Sequence, residues 1–158
     1  MKESVKKGLS FGLTSGIITT LGLIIGLYSS TESKMIIISG ILVIAIADSL
    51  SDAMGIHISQ EEEKKNSPKQ VWESTFATLF SKFIFALSFI LLIILFNLTT
   101  AVVVSVIWGL FLIAVLSFYI AKERKKSASK VIAEHLIITI FVIIATYLIG
   151  KAIHIYIN

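Results

Sequence analysis

The sequence contains no cysteine, which excludes disulfides, thiolate metal ligands, zinc knuckles and thiol nucleophiles and gives no reading of redox compartment. Charge is also scarce: Asp, Glu, Lys and Arg make up 15% of the 158 residues and fall mostly in a few short stretches. Nucleophile–base pairs, phosphate-binding loops and metalloprotease motifs are missing too, so the chain is not expected to be an enzyme. What is abundant is apolar: 56% of residues are hydrophobic and the mean hydropathy is +0.92, more than a soluble core needs. The expected solvent is a bilayer. The net charge of +4 comes from basic residues beside apolar runs, not from an aromatic-interleaved patch, so it points to membrane topology and away from nucleic acid.

Five apolar segments, 8–29, 35–56, 74–96, 100–121 and 131–153, each come close to the ~20 residues that a membrane-spanning helix requires. Between them lie TESK, the stretch HISQEEEKKNSPKQVWE, NLT and KERKKSASK. The runs are continuously apolar and too long for barrel strands. The expected fold is therefore all-α and polytopic, one transmembrane domain over residues 1–158 with five spans. The start MKESVKKGLSFGL has a basic flank like that of a signal peptide, but its apolar run continues past Gly26 and is read as the first span. Eleven of the 14 basic residues fall on one side: Lys2, Lys6 and Lys7, then Lys64, Lys65 and Lys69, then Lys122, Arg124, Lys125, Lys126 and Lys130. The positive-inside rule places that side, and the N-terminus, in the cytoplasm and the C-terminus outside. The plasma membrane of a prokaryote is the expected location.

The first span holds Gly8, Gly12, Gly16, Gly22 and Gly26, which project within an arc of roughly 120° at 100° per residue. One face of this helix is nearly bare backbone, suited to close packing inside the bundle, to a dimer seam or to a permeation path. Ser15 and Thr19 fall within or at the edge of that arc. In the second span, Asp48 and Asp52 lie one turn apart, about 40° around the helix from each other, with Gly55 and Ser59 on the same stripe. Carboxylates are costly in hydrocarbon and face a partner, water or an ion. Two of them one turn apart favour sharing a proton or a divalent cation, the exchange that proton-coupled metal transport needs. The bland alternative is an ion pair between Lys82, in the third span, and one of the two.

Other residues leave two readings open. Met54 joins the stripe only if the helix rotates or bends, and otherwise packs. Glu61, Glu62 and Glu63 either gather cations at a cytoplasmic entrance or form a solvated helix end partly neutralised by Lys64 and Lys65. His57 projects away from the aspartates and reads as interfacial. Glu134 and His135, at the start of the fifth span, read as headgroup-level solvation or salt bridges. Trp72 suits an interfacial belt, whereas Trp108 sits in mid-span and reads as packing.

The segments GLTSGIITTLGLIIGL, SLSDAMGIHIS, SPKQVWESTFATLFS and SASKVIAEHLIITIFVIIATYLIGKAI, in that order and spacing, resemble the vacuolar iron transporter family across nearly the whole chain. The resemblance implies five spans, an inside N-terminus, a homodimer with the ion path between protomers, and export of ferrous or manganese ions from the cytoplasm in exchange for protons. Two positions depart from the family pattern. Ser15 stands where the family usually has an aspartate, and Asp52 lies near where it has a methionine. Oxygen in place of thioether favours hard ions such as manganese, magnesium or calcium. The helical cytoplasmic metal-binding domain that some members insert between spans two and three is replaced by about 17 polar residues.

The sequence therefore leads to a dimeric Fe²⁺ or Mn²⁺ transporter with no tightly bound cofactor. Its expected partners are membrane lipid, a second copy, divalent metal ions and protons. Asp48 and Asp52 would bind the metal, Ser15 and Thr19 would be hydroxyl neighbours, and Glu61 to Glu63 would form the entrance. Two other classes remain: a non-transporting membrane scaffold or accessory subunit whose aspartates merely pair with Lys82 or cap helices, and a proton or small-solute pathway. The last would show no metal-dependent thermal stabilisation.

Overall fold

The computed structural model describes residues 2–157 as five helices: α1 (Glu3–Thr31), α2 (Lys34–Glu62), α3 (Pro68–Leu95), α4 (Leu98–Glu123) and α5 (Ala128–Ile157). All five are long and apolar enough to cross a membrane, which is compatible with an integral membrane protein. Each apolar run has become one helix, and four of the five extend past both ends of the run into polar flanks.

The breaks between helices have local causes. Glu32 ends α1 in the left-handed region at φ 49°, its N–H donating to the Tyr28 carbonyl. One residue later, Ser33 starts α2 by accepting from the Ile36 N–H. At α3 the side chains of Ser67 and Gln70 form a reciprocal capping box, with Pro68 at the first helical position, where its missing N–H costs nothing. Asn97 caps α4 by accepting from the Thr100 N–H. Lys34 Nζ donates to the Ile94 and Phe96 carbonyls, 3.1 and 2.9 Å away, answering the negative end of α3 with a cation.

Helix α1 packs against all four others, and its glycines account for that centrality. A Cβ on Gly8 would collide with the Ser74 carbonyl and Ala77, one on Gly12 with Ser81 and the Thr78 backbone, and one on Gly16 would crowd Lys82 at 3.1 to 3.2 Å. The three glycines thus meet Ser74, Thr78 and Lys82 in step, four residues apart on each helix, so α1 and α3 run parallel in close contact. Thr78 Oγ1 donates across this seam to the Gly8 carbonyl at 3.1 Å. Gly22 and Gly26, further along, face Val142 and Thr146 of α5. All five glycines therefore lie on contacts within one chain.

The two halves of the bundle differ. An apolar core of Ile17, Leu21, Ile24 and Ile25 with Ile37, Ile41, Phe89, Ile93, Ala101, Val102 and Ile113 occupies the half beyond Ile17. The half nearer the α1 N-terminus is packed by glycines, hydroxyls and charges. Lipid chains are as apolar as these side chains, so close backbone approach and interhelical hydrogen bonds are what hold such a bundle together. Gly12→Ala should therefore cost about 1–3 kcal/mol by overpacking. Gly55→Ala, whose added Cβ meets nothing within 4 Å, should be neutral or stabilising by up to about 1 kcal/mol. Unfolding midpoints of the two variants in detergent measure the contrast.

Candidate functional site

Asp48, Lys82 and Ser15 sit near the middle of α2, α3 and α1 respectively, so in a bilayer the cluster they form lies deep in hydrocarbon. Register puts them together. Lys82 follows Ser74 and Thr78 on the row that rests on the α1 glycines, and its stem lies against Gly16. Asp52 crosses from α2 to Ser15, whose hydroxyl donates to Asp52 Oδ2 at 2.6 Å.

The Lys82 ammonium lies 2.6 Å from Asp48 Oδ2 and 2.5 Å from Asp52 Oδ2, and it donates to Ser15 Oγ at 2.9 Å. An ammonium has three protons, and three oxygens from two helices surround it. The lysine side chain is 2% exposed, whereas Asp48 is 33% and Asp52 21% exposed. The cation is thus buried while both carboxylates remain partly exposed, and the formal charges, two negative against one positive, leave the cluster a net anion. The pairing of Lys82 with one aspartate, considered from the sequence, is a pairing with both. Among the described residues no group of three or more His, Asp or Glu converges as a metal cage. The oxygens available to a cation are those of Asp48, Asp52 and Ser15.

The other candidate residues are placed apart from this cluster. Thr19 is exposed and its hydroxyl donates back to the Ser15 carbonyl at 2.9 Å, a bond that satisfies it within its own helix. Met54 is exposed on the apolar outer surface of α2. His57 bonds Thr75 Oγ1 at 3.0 Å and meets Trp72 edge-on at 4.6 Å, which makes it part of the α2–α3 packing. Glu61 and Glu62 are exposed at the end of α2, while Glu63 is drawn to Lys7 at 3.4 Å and Lys65 at 3.6 Å.

Glu63 belongs to a ring of ion pairs around the α1 N-terminus. Lys2 pairs with Glu73 of α3, Lys6 with Glu123 of α4, and Lys7 with Glu63 of the α2–α3 loop. Burial opposes the Glu63 charge, but the Lys7 ammonium, by charge and hydrogen bond, and then Lys65 outweigh it and hold the carboxyl below its ordinary value. With a lowered folded value, this contact contributes fully above the ordinary carboxylate range and is lost as pH falls through the lowered one. The ring also brings the three basic stretches to one end of the bundle. Pairs this exposed contribute little stability individually.

The chain matches no family model and no curated protein.

Sequence reasoning identified the two carboxylates, Ser15 and Lys82, but not that one ammonium joins them all. The glycine row Gly8, Gly12 and Gly16 was legible on α1, but that it meets Ser74, Thr78 and Lys82 of α3 is set by the register of the two helices. Replacing Lys82 with Met leaves two carboxylates without a counter-ion and should destabilise the protein by about 3 kcal/mol or more. Adding Asp48→Asn and Asp52→Asn to that variant should recover most of the loss, a non-additivity that a double-mutant cycle in detergent reads directly.

Proposed function

We propose that the chain is a dimeric transporter that exports divalent cations, Fe²⁺ or Mn²⁺, from the cytoplasm in exchange for protons, with Asp48 and Asp52 as the ion-binding carboxylates. The observation that carries this reading is that both aspartates stay partly exposed at mid-depth on one face of α2, with side chains 33% and 21% exposed, in a cluster whose formal charge is negative. A carboxylate left facing lipid is unfavourable by several kcal/mol. A second copy or a water-filled path against this face would remove that penalty and give a cation access to the site. The oxygen ligand set suits hard cations. Gathering the Lys2, Lys6 and Lys7 region with the α2–α3 and α4–α5 loops at one end supports an inside N-terminus in a prokaryotic plasma membrane.

The double ion pair to Lys82 favours a second reading, a non-transporting scaffold in which the three charges serve only to lock α1, α2 and α3. Purified protein in liposomes separates the two. Under the transport reading, Mn²⁺ or Fe²⁺ crosses the membrane with a counterflow of protons, and the Asp48→Asn, Asp52→Asn protein loses at least about 90% of the flux, the order of effect expected when a site's only anionic ligands are removed. Flux indistinguishable from protein-free liposomes favours the scaffold reading instead, whereas equal flux from the aspartate variant takes Asp48 and Asp52 out of the ion path.

A further inference from the structure

We propose that Lys82 is a tethered stand-in for the transported ion: its ammonium occupies the cation position of the site, and a divalent cargo binds by displacing it. This deepens the transport reading and rests on it.

The geometry around Nζ is that of an ion held by oxygens. Asp48 Oδ2, Asp52 Oδ2 and Ser15 Oγ converge on it at 2.6, 2.5 and 2.9 Å. They come from the same two helices, α1 and α2, that would present ligands to a free cation. The lysine reaches the point from α3 and is 2% exposed, while the carboxylates are 33% and 21% exposed. A cargo ion arriving from outside the chain therefore meets the carboxylates before the ammonium.

Charge rules out joint occupancy. Two carboxylates and one ammonium sum to a single negative charge, and a divalent ion added beside the ammonium would leave the cluster net positive with two cations a few Å apart. In a medium this poor in water the repulsion is large. Occupancy is then exclusive, with either Lys82 or the cargo in contact with the aspartates. Two consequences follow. The empty transporter never exposes two uncompensated carboxylates to hydrocarbon, and only a cation whose attraction for the pair exceeds that of an ammonium already in place gains the site. A doubly charged ion meets that condition more readily than Na⁺ or K⁺. Lys82 thus sets the affinity a cation must exceed to occupy the site, acting through the aspartates and not as a ligand.

The test is Mn²⁺ binding by full-length protein in detergent, read as equilibrium affinity and as metal-dependent thermal stabilisation, for wild type, Lys82→Gln, Lys82→Arg and Asp48→Asn with Asp52→Asn. Displacement requires Lys82→Gln to bind Mn²⁺ roughly tenfold or more tighter than wild type and to be stabilised more by the metal, because the ion fills the place that the ammonium left. Lys82→Arg, which keeps a competing cation, should bind no tighter than wild type. Na⁺ should gain no more than Mn²⁺ from Lys82→Gln, because an exclusive competitor lowers the apparent affinity of every ion by the same factor. If wild type binds Mn²⁺ and Lys82→Gln, folded by its elution profile, binds it equally or more weakly, the displacement proposal is overturned while the transport reading stands. Should Lys82→Gln be too unstable to purify without metal, failure of Mn²⁺ to restore it overturns the proposal as well. If no protein in the series binds Mn²⁺, and the aspartate variant behaves as wild type, both readings fall together.

Discussion

The bundle is organised by the need to keep one lysine ammonium and two carboxylates stable where there is little water. A lysine at the centre of a transmembrane helix is disfavoured by roughly 2.5–3.5 kcal/mol on insertion scales, and an unpaired aspartate comparably. The structure answers with mutual contact: Lys82 between Asp48 and Asp52, with the Ser15 hydroxyl bridging. That contact exists only if α1, α2 and α3 approach closely at the same depth. Gly16, where a Cβ would crowd the lysine stem, and the Gly8–Gly12 seam along α3 supply the approach. The glycines are thus as much a part of the charged site as the ionised groups.

The remainder of the molecule supports this arrangement from both ends. On one side, an aliphatic core of α1 to α4 residues beyond Ile17 contains no charge and fixes the helix directions by packing. On the other, ion pairs from Lys2, Lys6 and Lys7 tie the start of α1 to α3, to the end of α4 and to the α2–α3 loop. The charged cluster sits at the boundary between the dry half and the polar half. Its two aspartates contact Lys82 of α3, and Asp52 also meets Ser15 of α1, yet both stay partly exposed, and this opening is why the cluster reads as more than an internal staple.

Much of the helical layout was legible from the sequence, because an apolar run of membrane-spanning length has few alternatives to a helix. The shared face of Asp48 and Asp52 was legible for the same reason, since 100° per residue fixes it. Tertiary register was harder. Nothing in the local pattern states that Gly16 lies opposite Lys82, or that Thr19 spends its hydroxyl on its own helix while Ser15 turns to Asp52. Those outcomes depend on how deeply α3 slides along α1, a property of two helices together. The lone lysine in an otherwise uncharged third span was the strongest hint, because a charge in that position requires a partner at its own depth.

Whether Lys82 holds a place meant for a cation is read most directly from a crystal of the protein soaked in Mn²⁺, with anomalous scattering recorded at the manganese edge. An anomalous peak is expected within about 2.0–2.6 Å of oxygens from Asp48 and Asp52, with the Lys82 ammonium withdrawn from both carboxylates. Full Mn²⁺ exposure that leaves Lys82 bonded to both aspartates, with no anomalous density beside them, would contradict it.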